Sequence, residues 1–169
     1  MEDGSLERGA GSGERESRKQ KSEDGRRRTE DGGRRTVDGG RMSEAIKSFR
    51  ELRVYQAAFE LQQHIFKATK QFPKEELYSL TNQFRRASRS IGANISEAWQ
   101  KRRYQAHFVS KLSDADGEQA ETQHWITTAF ACGYIPEAER ASMLAQCEEI
   151  GRKLGKMMAE PEKWCPRSS

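Results

Sequence analysis

The chain has 169 residues, a mean hydropathy of −1.00 and a formal net charge of +4. It contains no run of about 18 apolar residues and no apolar leader at its N-terminus, so neither a membrane-spanning segment nor a secretory signal is expected. The pI near 9.0 permits an anionic partner without requiring one.

Residues 1–42 differ sharply in composition from the rest of the chain. They hold nine of the 14 glycines and 11 Lys/Arg against 10 Asp/Glu, and they contain no aromatic residue. Such a segment buries too little apolar surface to offset the entropy of ordering, so it is predicted to be a disordered tail. Residues 43–169 hold all the aromatic residues and are long enough for one core, which predicts a single domain.

A seven-residue repeat runs through the end of this tail, over residues 23–43, as EDGRRRT, EDGGRRT and VDGGRMS. It lacks the hydrophobic seam of a coiled coil. It could be an Arg- and Gly-rich nucleic-acid-binding arm, or a translated DNA repeat upstream of the true start at Met42. The second interpretation is favoured, because the acidic residues almost cancel the arginines.

From residue 49 onward the apolar residues follow a helical period. The first helix is predicted to end at Pro73, and a second is predicted to start between Lys74 and Leu77. The predicted core positions of helix 1 are Val54, Ala57, Leu61, Ile65, Ala68 and Phe72. Those of helix 2 are Leu77, Leu80, Phe84, Ala87, Ile91, Ile95 and Ala98.

Two further helices complete the domain. Helix 3 is predicted from about Tyr104 to Cys132, with Gly133 as its stop, and Pro136 opens helix 4. Their predicted core positions are Phe108, Leu112, Ala115, Gln119, Thr122, Ile126 and Ala129, then Met143, Leu144, Cys147, Ile150, Leu154 and Met157. Four helices with short links predict an all-α fold, an antiparallel up-and-down four-helix bundle.

The three cysteines indicate reduced thiols rather than a disulfide framework. Cys132, Cys147 and Cys165 are odd in number and lack C-x-x-C spacing, as expected in the cytoplasm. Cys132 and Cys147 are predicted to be buried packing residues.

Helix 1 carries a second apolar stripe on the side opposite its core positions. It consists of Leu52, Tyr55, Phe59, Gln62 and Phe66. A monomeric bundle needs one apolar face per helix, so this stripe predicts a protein interface, of which Leu52, Tyr55, Phe59 and Phe66 are the candidate residues. The alternative is that a chain end, such as the segment around Trp164, folds over these rings.

Four segments resemble one bacterial protein family. Residues 83–98 read QFRRASRSIGANISEA, residues 49–55 read FRELRVY, residues 72–80 contain FP followed by ELYSL, and residues 133–135 read GYI. In this order they resemble the four-helix bundle proteins encoded by intervening sequences within 23S rRNA genes. The resemblance implies a homo-oligomeric ring, a pentamer in relatives. Related accessory proteins of diversity-generating retroelements bind a reverse transcriptase and nucleic acid, which implies those partners here.

No catalytic, cofactor or metal site is predicted. Glu121 and His124 form an E-x-x-H half of a di-iron motif, but that site needs a second copy and two further carboxylates. Glu60 and His64 are four residues apart and do not supply the second copy. Glu121 and His124 are better explained as polar surface residues, and the protein is predicted not to be an enzyme.

A basic cluster is the remaining functional signal. Between residues 85 and 103 lie six basic residues and one acid, Glu97. The six are Arg85, Arg86, Arg89, Lys101, Arg102 and Arg103. Arginine suits phosphate, and Trp99 and Tyr104 could stack on bases, which predicts contact with RNA or DNA.

The alternative for this cluster is pairing between subunits. Helix 3 carries an acidic run that could receive the basic edge of a neighbouring copy; it consists of Asp114, Asp116, Glu118 and Glu121. The sequence therefore predicts a non-enzymatic, cytoplasmic, homo-oligomeric bundle that binds RNA or DNA, with a protein scaffold as the alternative.

Overall fold

The computed structural model describes residues 46–166. The predictions made for residues 1–42 lie outside this range. Four α-helices make up most of the described chain, and it contains no β-strand. They are α1 (Arg53–Ala68), α2 (Asn82–Lys101), α3 (Gln105–Ala131) and α4 (Glu137–Ala159). No helix within this range is long and apolar enough to cross a lipid bilayer.

The helices form the predicted four-helix bundle, in which α1 packs against α2 and α4, and α3 packs against the same two helices. Every predicted core position of α3 is buried, and so are Leu80, Phe84, Ile91 and Ile95 on the second helical segment. These residues recur every three or four positions, which places them on one side of each helix. The hydrophobic period therefore predicted all the core positions of α3 and most of those of the other three helical segments.

The first helical segment differs from its prediction at its start. Residues Phe49–Glu51 form a 3-10 turn, and Leu52 then adopts an extended backbone before α1 begins. Because Leu52 lies outside the helix, it does not follow the helical period and is buried in the core at 2 % exposure. Ala58 is buried on α1, whereas the predicted Ala57 is half-buried.

The second helical segment also begins differently. A 3-10 turn over Lys74–Glu76 is followed by a π-helical turn over Leu77–Thr81, and only then does α2 start. These turns change the rotation per residue, so Leu77 points to solvent at 45 % exposure instead of into the core. The core prediction for Leu77 was wrong.

Of the two cysteine burial predictions, one is confirmed and one is wrong. Cys147 is buried, and burial raises the pKa of its thiol to about 12, so it packs as a neutral side chain. Its backbone carbonyl accepts a 2.7 Å hydrogen bond from the side-chain amide of Gln119. Cys132 is exposed, because it lies just beyond the last residue of α3, next to Gly133 at φ 74°. The burial prediction for Cys132 was therefore wrong.

Glu76 ties the α1–α2 link to the α3–α4 turn. Its carboxylate accepts hydrogen bonds from the Ser79 hydroxyl, from the Leu80 amide at 3.4 Å and from the Tyr134 hydroxyl at 3.2 Å. The Tyr134 ring packs on Phe72 with a centroid separation of 5.3 Å. One carboxylate thus serves both connections at this end of the bundle.

This arrangement predicts a pH-dependent contribution to stability. The hydrogen bond from Ser79, with those from Leu80 and Tyr134, holds the pKa of Glu76 below its ordinary value of 4.5. A carboxyl with a lowered folded-state pKa stabilises the fold above its unfolded pKa, and this contribution disappears as the pH falls through the folded value. Glu76→Gln should therefore lower Tm at pH 7, and the difference from the parent protein should shrink below about pH 4.5.

Glu75→Gln is the matched control, because Glu75 accepts none of these three hydrogen bonds. Thermal unfolding of the three proteins from pH 3 to pH 7 measures the effect. A Tm difference for Glu76→Gln that is the same at both ends of this range would contradict the assignment.

Candidate interaction surfaces

Aromatic side chains of α1 and of the turn before it lie along the border with α2. We call this surface the aromatic face and define it by Phe49, Tyr55, Phe59 and Phe66. Phe49 meets Tyr55 edge-on at 4.8 Å, and Tyr55 stacks on Phe59 at 6.4 Å and 25° between the ring planes. Phe59 is 47 % exposed. These rings and the α2 backbone enclose an open groove of about 190 Å³. It is lined by Phe49, Tyr55, Phe59, Gln62, Arg89, Gly92, Ala93 and Ser96.

Small residues on α2 give this face its shape. A Cβ atom placed on Gly92 would lie 3.6 Å from the Tyr55 ring, at ordinary van der Waals distance, so the ring packs over this position of α2. The aromatic stripe was predicted from the sequence. Its contact with Gly92 was not, because the spacing within one helix does not show which residues of a neighbouring helix it meets.

Two arginines of the basic cluster belong to this face. Arg85 and Arg89 lie over the Phe66 ring, at 5.0 and 5.9 Å from its centroid, and Lys70 lies at 4.9 Å. Arg85 also donates a 2.7 Å hydrogen bond to the Thr69 hydroxyl. Burial, with a smaller effect of Arg89, lowers the pKa of Arg85, although arginine stays charged. The far end of the aromatic face is therefore cationic.

Leu52 does not belong to the aromatic face, contrary to the sequence prediction, because its side chain is in the core. The predicted alternative, coverage by the segment around Trp164, also differs from the structure. Trp164 lines a separate cavity with Leu52 and Met157, and Phe59 remains largely open. Tyr55, Phe59 and Phe66 remain as the candidate interface residues.

The other basic residues lie elsewhere on the bundle. Arg85 and Arg102 are 17 positions apart, which corresponds to about 25 Å along a helix. Arg86 is exposed and has Glu118 of α3 as a charged neighbour, whereas Lys101 pairs with Glu97 at 2.6 Å. The sequence cluster therefore does not form one continuous patch.

The link between α2 and α3 carries the second surface, which we call the basic link and define as residues 101–104. The Arg102 guanidinium lies 3.9 Å over the Trp99 ring and donates a 2.6 Å hydrogen bond to the Trp99 carbonyl. Arg103 is exposed, and the Tyr104 ring is 61 % exposed. Within residues 46–166, no carboxylate lies within 4.0 Å of the guanidinium of Arg102 or Arg103.

An acidic groove lies between α2 and α3, on the other side of α2 from the aromatic face. It has a volume of about 420 Å³ and is lined by Asn94, Ser113, Asp114, Gly117, Glu118 and Glu121. Partial burial, assisted by Glu121 and Asp114 and opposed by Arg86, raises the pKa of Glu118. Glu121 and Asp114 thus add to the negative potential around Glu118.

The acidic run predicted from the sequence is only partly gathered in this groove. Asp116 points toward α4, where its carboxylate lies 3.7 Å from the position that a Cβ on Gly151 would take. Asp114 pairs with Lys111 at 3.1 Å, and Lys111 also pairs with Glu97. Glu118 and Glu121 therefore supply most of the negative charge available to a partner.

The residues of the half di-iron motif have other contacts. Glu121 accepts a 3.0 Å hydrogen bond from the Trp125 indole, and the His124 ring packs edge-on against Trp125 at 4.8 Å. His64 is within 3.1 Å of the Gln146 side-chain oxygen, and Glu60 is exposed. In the part of the chain that the structure describes, no group of three metal-ligating side chains lies together.

Comparison with known proteins identifies relatives of this bundle. The family model for the 23S rRNA-intervening sequence protein matches residues 50–156. A crystal structure from Bacteroides thetaiotaomicron VPI-5482, of a protein of unknown function from the S23 ribosomal protein family, is similar, with 28 % identity and a TM-score of 0.57. The match covers 63 % of this chain and 95 % of that chain. None of the curated proteins matches the chain.

Proposed function

Because the chain belongs to the family of 23S rRNA-intervening sequence proteins, we propose that it is a non-enzymatic, cytoplasmic accessory protein that binds RNA or DNA and self-associates. The observation that supports this proposal is the separation of the basic residues into two places. Arg85 and Arg89 lie on the aromatic face, and Arg102 and Arg103 lie on the basic link. We assign nucleic-acid binding to the basic link and self-association to the aromatic face.

The basic link suits phosphate and an unstacked base. Stacking on Trp99 holds the Arg102 guanidinium in a defined plane, and the N–H groups that do not bond to the Trp99 carbonyl can form paired hydrogen bonds with a phosphate. Tyr104 adds an exposed ring next to His107, at 5.5 Å between centroids. Aromatic rings beside arginines bind single-stranded nucleic acid without strong sequence preference.

The aromatic face suits a second copy of the chain. Its rings are apolar and its Phe66 end is cationic, whereas the acidic groove of the same protein is anionic. The two surfaces lie on opposite sides of α2, so one copy can use both at once. Such a head-to-tail contact produces a ring if its rotation closes. A pentamer is the ring size that the family resemblance implies.

Arg102→Gln combined with Arg103→Gln tests the nucleic-acid part of the proposal. A phosphate contact contributes about 0.7–0.9 to the slope of log affinity against log salt, so the double variant should flatten this slope by about 1.4–1.8. Affinity should fall equally for different sequences, because phosphate contacts do not read bases. Fluorescence anisotropy with single-stranded RNA and DNA at several salt concentrations measures both effects.

The matched control is Lys67→Gln combined with Lys74→Gln, which removes the same charge from exposed residues at the opposite end of the bundle. This control should leave the salt slope within 0.5 of the parent value, on the order of half of one phosphate contact. If the parent protein binds no nucleic acid at low salt and the arginine variant loses its oligomeric state, the basic link serves assembly. The protein is then a scaffold.

A further inference from the structure

We infer that a cavity at the end of the bundle, where α1 begins and α4 ends, binds a single-chain amphiphilic anion, an alkyl carboxylate. We call it the end cavity. Its volume of about 470 Å³ falls within the range of small-molecule pockets. It is lined by Ile46, Glu51, Leu52, Arg53, Val54, Lys153, Lys156, Met157 and Trp164. None of these residues belongs to the aromatic face, the acidic groove or the basic link.

The walls of the end cavity are aliphatic and reach the core of the bundle. Leu52, Val54 and Met157 are between 2 % and 3 % exposed, so the floor of the cavity is core surface. Ile46 and Trp164 form its sides, and Ile46 is itself 38 % exposed. Five of the nine lining residues, and most of the surface that the lining exposes, are apolar, which favours an aliphatic chain over a sugar or a nucleobase.

The charged residues of the lining favour an anionic headgroup. Arg53, Lys153 and Lys156 supply three cations against the single acid Glu51. Lys153 pairs with Glu149, and Glu51 accepts a hydrogen bond from the backbone amide of Lys47 at 3.1 Å. Within the described range, neither Arg53 nor Lys156 has a carboxylate within 4.0 Å, and Glu160 is a more distant charged neighbour of Lys156. Arg53 and Lys156 can therefore receive a carboxylate.

The N-terminus of α1 adds to the positive electrostatic potential of the end cavity. This helix has no acidic residue in its first turn and no side-chain cap at its N-terminus, and its first two residues, Arg53 and Val54, line the cavity. The positive end of a helix attracts an anion. An uncharged alkane would gain nothing from these cations, and a small inorganic anion would leave the apolar walls exposed to water. An alkyl carboxylate satisfies both.

Titration calorimetry of the full chain with octanoate, decanoate and dodecanoate, each below its micelle concentration, tests the inference. One carboxylate should bind per protomer, and affinity should rise about fourfold for each added methylene until the cavity is full. Decanol should bind more weakly than decanoate, by about two- to fivefold, because it lacks the charge.

Two variants locate the site. Lys156→Gln should weaken decanoate by about two- to fivefold and leave decanol unchanged, because Lys156 is exposed at the rim and its charge is all that the ligand loses. Arg152→Gln is the matched control on the same helix; Arg152 is exposed, has Glu148 as its ion-pair partner and does not line the cavity. It should bind decanoate as the parent protein does. Circular dichroism checks that both variants keep their helix content.

Three results would overturn the inference: no binding of any of the carboxylates by the full chain, equal affinity for decanoate and decanol, or loss of binding in Arg89→Gln but not in Lys156→Gln. The last would place the ligand on the aromatic face. Because the end cavity shares no residue with the basic link, none of these results bears on nucleic-acid binding.

Discussion

Replacing Phe59 and Phe66 together with Glu is expected to abolish the proposed self-association and to give monomers that keep their helix content. Phe59 is 47 % exposed and Phe66 is half-buried, so neither ring is part of the central core. In the parent protein, the guanidiniums of Arg85 and Arg89 cover the Phe66 ring. The carboxylate of Phe66→Glu therefore lies close to both arginines. The fold can therefore accommodate both changes.

The interface cannot accommodate them. Burying each ring against a neighbouring copy stabilises the assembly by roughly 1.5–3 kcal/mol. A carboxylate at either position loses this contribution. At position 59 it must in addition be dehydrated without a cationic partner, which costs a further few kcal/mol, and at position 66 it neutralises the cations that the acidic groove would meet. In a contact with an acidic groove, the new charges also repel Glu118 and Glu121. The combined effect should exceed what most protein interfaces can lose.

Lys67→Glu is the control, since it changes the charge of α1 at an exposed position that does not line the aromatic groove. Multi-angle light scattering should give an oligomer for the parent protein and for Lys67→Glu, and a monomer for the double variant. A monomeric parent protein, or an unchanged oligomer in the double variant, would show that the aromatic face is not the interface.

The fold could be predicted from the sequence where the helices are long and regular. All seven predicted core residues of α3 are buried, because a period of 3.6 residues places them on one side whatever the neighbouring helices are. The predictions failed where the chain leaves this period. Leu52 precedes α1 in an extended conformation, and Leu77 opens a π-helical turn, and neither local change has a clear signal in the sequence.

The candidate surfaces could be predicted only in part. The aromatic stripe was visible because Tyr55, Phe59 and Phe66 recur at helical spacing on a single helix. The basic cluster was misleading because closeness along the chain does not imply closeness on a helix, where successive residues differ by about 100°. Arg85 therefore meets Phe66 of α1, whereas Arg86 has Glu118 of α3 as its neighbour.

Residues 83–98, the longest segment that resembles the family, contain most of the core positions of α2. Phe84, Ala87, Ile91 and Ile95 are all at most 1 % exposed, and α2 packs against both α1 and α3. These positions are therefore constrained by packing and not by a ligand. Changing them should affect stability, whereas changing the exposed arginines between them should affect binding.

Phe84→Ala is accordingly expected to lower the free energy of unfolding by about 3–5 kcal/mol, since the ring is fully buried and its loss leaves a cavity. Each kcal/mol shifts Tm by about 3–5 °C in a domain of this size, so Tm should fall by about 9–25 °C. Tyr78→Ala is the control, because Tyr78 is 86 % exposed and its removal should change the free energy of unfolding by less than about 0.5 kcal/mol.

Urea unfolding of the three proteins measures the change in the free energy of unfolding for both variants. It is done at one protein concentration, which keeps the contribution of any self-association comparable. The m-value should stay the same, because Phe84→Ala changes stability and not the surface exposed on unfolding. If Phe84→Ala instead unfolds as the parent protein does but loses nucleic-acid binding, the family segment would be a binding site. The packing of α2 makes the opposite result the expected one, because Phe84 has no surface with which a ligand could make contact.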